Sequence, residues 1–210
     1  VTNGEDGHCI WYGTCFTDVY GHDKNCPYTG PAKPLNSTGQ QLLQKHCPHM
    51  MANGALTCCD TKQLELLDTN ILLAANFLSR CPSCLGNLVK IFCEFTCSPH
   101  QSEFINVTAW GPNNTYIDGI DYYVTRKALE GTYKSCSKVS VPSTGQLAMD
   151  LMCGDWGSAH CSAERWFQYM GDAADNLYVP FQINYKATDE KVGNFTPTNP
   201  EIIPCSKAYN

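Results

Sequence analysis

Apolar residues recur at helical spacing from Asp60 onwards: Leu64, Leu67, Ile71, Ala74, Ala75 and Leu78. Asp60 makes a good N-cap and Gln63 stands three residues later, a capping-box pattern that predicts a helix over 60–79. Pro82 opens a second helix, from about 82 to 97, carrying Leu85, Leu88, Val89, Ile91, Phe92 and Phe95. Cys93 and Cys97 are four residues apart and share one of its faces. Leu42 and Leu43 behind Ser37-Thr38, read as the cap, predict a helix over 37–47. Phe104–Thr108 reads as a strand, and Phe181, Ile183 and Tyr185 alternate along another at 180–186. Residues 111–119 form a polar excursion, and 120–135 read as a helix. Short helices are expected over 143–153 and 162–170, capped by Ser143 and Ser162. Residues 1–36 read as loops, and a Pro-rich tail over 187–204 is tied back by Cys205. The fold class is helix-rich α+β, with a small mixed sheet, in a single domain over 1–210.

Composition changes the picture through cysteine. There are 14, at 9, 15, 26, 47, 58, 59, 81, 84, 93, 97, 136, 153, 161 and 205. An even number spread along the chain fits seven disulfides made in an oxidising compartment. Cys81-Pro-Ser-Cys84 with Cys93 and Cys97 could instead pass for a zinc knuckle, but the surrounding excess of cysteine argues against it. The same C-x-x-C lacks the βαβ context of a redox site. Adjacent Cys58 and Cys59 must each reach a different partner. Sequons at Asn36, Asn106, Asn113 and Asn194 agree with secretion.

Charged residues are only 16% and the net charge is −6, which argues against nucleic acid and against a polybasic membrane contact. No run of about 18 apolar residues exists to span a bilayer. The chain does not begin with Met, so it reads as a processed or excised piece, with any anchor outside these residues.

No catalytic motif stands up, and no cofactor or metal is implied. His46 and His49 lack an acidic residue to complete a helical metal face, and Ser158 and His160 do not share a helical face. Gln63, Leu67 and Asn70 do stand out, because two amides share a helical stripe with leucines. One reading is a helix edge where the amides meet water. The other is an apolar pocket holding neutral polar groups, since an amide both donates to and accepts from a hydroxyl and a buried carboxylate would be costly. Trp166, Phe167, Tyr169 and Met170 are wall candidates or plain core.

The stretches Cys9-Ile-Trp-Tyr-Gly13, Cys58-Cys59-Asp60, Phe77-Leu-Ser-Arg-Cys-Pro-Ser-Cys84 and Phe92-Cys-Glu-Phe-Thr-Cys-Ser-Pro99 resemble the N-terminal lumenal domain of Niemann–Pick type C1 proteins. Phe104-Ile-Asn-Val-Thr108 and Pro180-Phe-Gln-Ile183 continue the likeness, which runs from Cys9 to Cys205. The intestinal C1-like relative is the runner-up. The resemblance implies a deep pocket for cholesterol or a related sterol in the lysosomal or late endosomal lumen, or at the gut-cell surface for the C1-like relative. A small soluble carrier, the Niemann–Pick type C2 protein, would deliver the sterol. The domain would pass it to the membrane-embedded part of its own polypeptide.

Carried over, the hydroxyl-binding pair falls on Asn25 and Gln63, and a nearby tryptophan on Trp11. Pocket positions fall on Leu85, Phe92, Tyr169 and Met170, on Pro180, Phe181 and Ile183, and on Asn70 as the polar member, with Leu67 joining from the helical stripe. Leu151 and Met152 flank the mouth and serve transfer. No histidine is expected in the pocket. The implied pairing is Cys9–Cys58, Cys15–Cys26, Cys47–Cys93, Cys59–Cys97, Cys81–Cys205, Cys84–Cys136 and Cys153–Cys161. Departures occur at Thr14, where the family has an acidic residue, at Leu85, where it has a bulkier aromatic, and over 171–179. They suggest a non-mammalian member with broader sterol selectivity. The alternative function is a cysteine-rich extracellular protein-interaction module.

Overall fold

The computed structural model describes residues 7–205, apart from the Asn53 side chain. Its first element corrects the expectation of loops over 1–36. Strands β1 (Trp11–Thr17) and β2 (Asp23–Pro27) form an antiparallel hairpin with Thr14 opposite Asn25. The pairing slips on both sides of Thr14, and Gly13 sits at φ 75°. Such bulges break the two-residue alternation that would have marked a strand. Two short strands follow, β3 (Lys33–Pro34) and β4 (Leu56–Thr57), paired antiparallel around α1 (Ser37–His46). The cap of α1 is Asn36 rather than Ser37 or Thr38: its Oδ1 accepts from Gly39 N at 2.8 Å.

Helix α2 (Thr61–Leu78) begins with the capping box read from the sequence. Asp60 Oδ1 accepts from Gln63 N at 2.9 Å, and Gln63 Oε1 accepts from Asp60 N at 3.0 Å. A cap of this kind stabilises a helix by about 1 kcal/mol. Helix α3 (Pro82–Cys97) follows and packs along α2.

The larger sheet has the order β5 (Ile105–Trp110), β6 (Ile117–Val124), β7 (Gln182–Ala187). β5 and β6 are antiparallel and β6 and β7 parallel, so the sheet is mixed. Here the expected helix over 120–135 is corrected. Ile120, Tyr122 and Val124 are buried alternately as strand residues, and α4 (Arg126–Cys136) starts only after Thr125, whose hydroxyl caps Ala128 N at 3.2 Å. The strand runs straight into the cap with no turn residue between them, so the two elements read as one.

The expected helix over 143–153 shrinks to α5 (Met149–Met152). Ser143 caps nothing, because Val141 N and O bond Gln146 O and Gly145 N in a turn, with Gly145 at φ 73°. Helix α6 (Ala163–Met170) is capped by Ser162, whose hydroxyl accepts from Arg165 N at 3.2 Å.

Two apolar clusters meet along α2 and α3. One joins α3, α4, α6 and the β5–β7 sheet around Trp11, Tyr122, Trp166 and Phe181. The other joins α1, α2 and α3 around Leu43, Leu64, Leu67 and Ile71. Disulfides link Cys9–Cys58, Cys15–Cys26, Cys47–Cys93, Cys59–Cys97, Cys81–Cys205, Cys84–Cys136 and Cys153–Cys161. Cys81–Cys205 closes a separation of 124 residues. By loop-closure entropy a bridge of that span disfavours the unfolded chain by about 5 kcal/mol. No helix among the described residues is long and apolar enough to cross a membrane.

Candidate functional site

A cavity of about 380 Å³ opens between α2, α3, α6 and β7. That volume lies within the range of small-molecule sites. Each long element lines it for much of its length. On α2 the lining runs from Gln63 through Leu67, Asn70 and Ala74 to Phe77. Gln63 and Phe77 are fourteen residues apart, about 21 Å along a helix, so the space is elongated. On α3 the face is Leu88, Phe92, Phe95 and Thr96, and on β7 it is Ile183 and Tyr185, with Phe181 just before the strand. Gly171 lets the end of α6 approach β7: a Cβ there would lie 1.9 Å from the Ile183 carbonyl oxygen, and Ile183 N donates to Gly171 O at 2.9 Å.

The hairpin end holds the neutral polar groups. Gln63 is 4% exposed, and its Oε1 accepts from two backbone donors, Gly13 N at 2.8 Å and Asp60 N at 3.0 Å. Two N–H groups can meet only an oxygen, which fixes the orientation of the Gln63 amide. Its Nε2 then donates to Asn25 Oδ1 at 3.0 Å, which fixes Asn25 in turn. Both residues line the cavity, and Asn25 Nδ2 and the second N–H of Gln63 have no partner among the described residues. The expectation that Gln63 both donates to and accepts from a ligand hydroxyl is therefore corrected. Its carbonyl is already occupied, and this end is rich in donors. Gly13, at its positive φ, is what turns a backbone N–H of β1 toward Gln63.

Most carried-over positions line the same cavity: Asn25, Gln63, Leu67, Asn70, Phe92, Tyr169, Met170, Pro180, Phe181 and Ile183, with Leu151 and Met152. Leu151 is exposed at 47%, while Met152 packs partly against the core. Asn70 is exposed, so this amide meets water while Gln63 does not.

Three positions stand elsewhere. Trp11 is fully buried behind the wall. Its ring packs on Phe95 at 4.9 Å and Phe181 at 5.9 Å, and its Nε1 donates to Thr96 O at 3.2 Å. Thr14 pairs with Asn25 across the hairpin, but β1 meets the site through the Gly13 backbone, not through the Thr14 side chain. Leu85 shares the stripe of Phe92 but lies a turn before Leu88, where the α3 lining begins, and bridges the two apolar clusters instead.

The expectation of a pocket without histidine is also corrected. His22, in the hairpin turn, lines the cavity. Its Nε2 donates to the Leu177 carbonyl, and its Nδ1 lies 3.3 Å from Asp18 Oδ2. Partial burial alone would raise the Asp18 carboxyl. Backbone donors from His22 and Tyr20, with the nearby His22 and Lys24, hold it below the ordinary carboxylate value. Lys24 is 7% exposed and donates to Asp118 at 3.0 Å and to the Pro180 carbonyl. His22 and Lys24 thus clamp the segment 171–180 to the hairpin. Nothing in the local sequence marks this clamp, because its partners lie more than 150 residues away. Sequence reading also missed Leu73, Phe77, Phe95 and Val179 as lining residues. The first two continue the helical spacing of Asn70 on α2, so that signal was present.

His46 and His49 each meet a carboxylate of their own. His46 Nε2 lies 2.5 Å from Asp68 Oδ1, and His49 Nε2 lies 3.1 Å from Glu94 Oε1. Of the sequon asparagines, Asn36, Asn113 and Asn194 are exposed and Asn106 is half-buried.

Comparison with known protein sequences identifies the family. Residues 6–210 match the family model described as Niemann-Pick C1 N terminus. The chain is 38% identical to pig NPC intracellular cholesterol transporter 1 over 96% of its length. It is 35% identical to NPC intracellular cholesterol transporter 1 homolog 1b of Drosophila melanogaster, again over 96%. It is 32% identical to human NPC1-like intracellular cholesterol transporter 1 over 99%. It spans only 16%, 17% and 16% of these three relatives. The chain belongs to the Niemann-Pick C1 N-terminal family.

Proposed function

We propose that this chain binds one molecule of cholesterol or a related sterol in the cavity, with the hydroxyl at Asn25 and Gln63 and the tail toward the far end. The observation that carries this reading is the distribution of polarity. A long, largely apolar space carries the neutral amides of Asn25 and Gln63 at the end beside the hairpin. A sterol is a long apolar body with one neutral hydroxyl, so it fills such a space without leaving a charge unpaired. The relatives named as cholesterol transporters support the same ligand. In this reading a soluble carrier of the Niemann–Pick type C2 kind delivers the sterol in the lysosomal or endosomal lumen. The domain then passes it toward the membrane part of a longer polypeptide. Leu151 and Met152, beside the cavity, would form part of the docking surface.

Incubating delipidated protein with labelled cholesterol tests this. Saturation at one sterol per chain is expected, with displacement by free sterol but not by a sterol ester, whose oxygen is capped by a bulky acyl group. Absence of saturable uptake, or equal displacement by the ester, would reject it.

A further inference from the structure

The disulfides differ in how far the core shields them. Six of them have at least one buried half, supplied by Cys9, Cys47, Cys59, Cys81, Cys84 and Cys153. In Cys15–Cys26 neither residue is buried: Cys15 is exposed and Cys26 half-buried. Thiol–disulfide exchange begins when a thiolate reaches one of the two sulfurs, so access decides which bridge opens first.

This bridge also holds together an element that is weak without it. It joins β1 to β2 beside the Thr14–Asn25 pair, across a separation of 11 residues. The pairing slips on both sides of Thr14. A two-stranded ribbon is marginal by itself, and bulges remove part of its hydrogen bonding. The same hairpin carries His22 and Lys24, which donate to the Leu177 and Pro180 carbonyls. None of the other six bridges lies within the hairpin, so they still hold the rest of the fold when this one opens.

We infer that Cys15–Cys26 is a site of thiol–disulfide exchange for a dithiol reductant, and that its opening loosens the hairpin and the clamp on residues 171–180. A reductant thiolate attacks the sulfur of Cys15, the more exposed residue, and forms a mixed disulfide. Cys26 leaves as a thiolate and takes up a proton. The second reductant thiolate then attacks the reductant sulfur of the mixed disulfide, and Cys15 leaves in the same way. Two electrons and two protons have passed to the protein, and the reductant departs as a cyclic disulfide. The loosening of the clamp stands on the hairpin alone, while faster sterol release through it rests on the sterol reading given above.

The test treats the protein with graded dithiothreitol, blocks free thiols with iodoacetamide and maps the labelled peptides. Cys15 and Cys26 should be labelled at about tenfold less reductant than any other pair. Asn176 N and Val179 N bond to the Asp172 and Asn176 carbonyls inside the clamped segment. Once the bridge is open, hydrogen exchange at these two amides should quicken about fivefold, the worth of one hydrogen bond. Labelled cholesterol should be released faster as well. The double variant Cys15→Ser, Cys26→Ser should show the faster rates without reductant and gain nothing from it. Should that variant fail to fold, the alkylated parent carries the same readouts. Opening of another bridge before or together with Cys15–Cys26, or unchanged amide exchange once it is open, overturns the inference while the sterol reading stands. Quickened amide exchange in a protein that takes up no cholesterol supports the inference and overturns the sterol reading.

Discussion

Replacing Asn25 and Gln63 separately by alanine should produce two different phenotypes. Gln63 holds three hydrogen bonds, to Gly13 N, Asp60 N and Asn25 Oδ1. Gln63→Ala strands two backbone donors and dissolves half of the capping box. A buried donor left unsatisfied costs about 1–3 kcal/mol. Water reaches the half-buried Asp60 more readily than Gly13, so the sum should be about 3 kcal/mol. In a domain of this size that lowers Tm by roughly 6–12 °C. Asn25→Ala removes one bond to Gln63 and leaves both backbone donors satisfied. Its stability cost should be about 1 kcal/mol, or roughly 2–4 °C.

Binding should rank the two differently from stability. Asn25 lines the cavity and its Nδ2 has no partner among the described residues, so in the proposed reading Asn25→Ala should weaken sterol by about 10- to 100-fold, the worth of one to two hydrogen bonds in a desolvated site. Gln63→Ala should weaken sterol as well, in a protein that is measurably less stable. The assays are sterol titration and thermal melting followed by circular dichroism. If Asn25→Ala binds within twofold of the parent, the amide pair is not the hydroxyl site. If Gln63→Ala melts with the parent, the hydrogen-bond network is wrong.

Leu151→Ala with Met152→Ala should slow sterol transfer from a soluble carrier at least tenfold, with a much smaller effect on equilibrium binding. Equal losses in both would place these residues in the pocket wall alone. His22→Ala removes the bond to the Leu177 carbonyl and should speed sterol exchange by about fivefold, the worth of one hydrogen bond. An unchanged exchange rate measured by stopped flow would mean that the clamp does not limit passage. Hydrogen bonds from His46 and then Lys45 hold the Asp68 carboxyl below its ordinary value. The folded pKa is depressed, so the stabilisation is present above the ordinary carboxylate value, about 3.9, and is lost as pH falls through the folded value. The Tm gap between parent and Asp68→Asn should therefore close as pH falls toward 2. A gap that persists at pH 2 would assign it to another cause.

Much of the frame was legible because its signals are local. Asp60 and Gln63 announce the start of α2 within four residues, and Pro82 and Ser162 mark the starts of α3 and α6. Phe181, Ile183 and Tyr185 were readable as one strand face, and that face became a cavity wall. What failed depends on irregularity or distance. The β1–β2 hairpin hid behind two register slips, and β6 merged with α4 because Val124 abuts the Thr125 cap. The site itself was reached through family likeness at Asn25, while Gln63 also carried a pattern of its own. That likeness could not show that backbone donors occupy the Gln63 carbonyl, nor that His22 stands in the wall. Both facts depend on contacts between segments far apart in the chain.

The most direct test of the central claim is a crystal structure of the protein with cholesterol bound. One sterol should fill the cavity, with its hydroxyl oxygen about 2.7–3.2 Å from Asn25 Nδ2 and its tail along Phe77, Leu88 and Tyr185. A sterol lying with its hydroxyl at Tyr185 or at the Leu151 rim, or bound outside an empty cavity, would contradict the account.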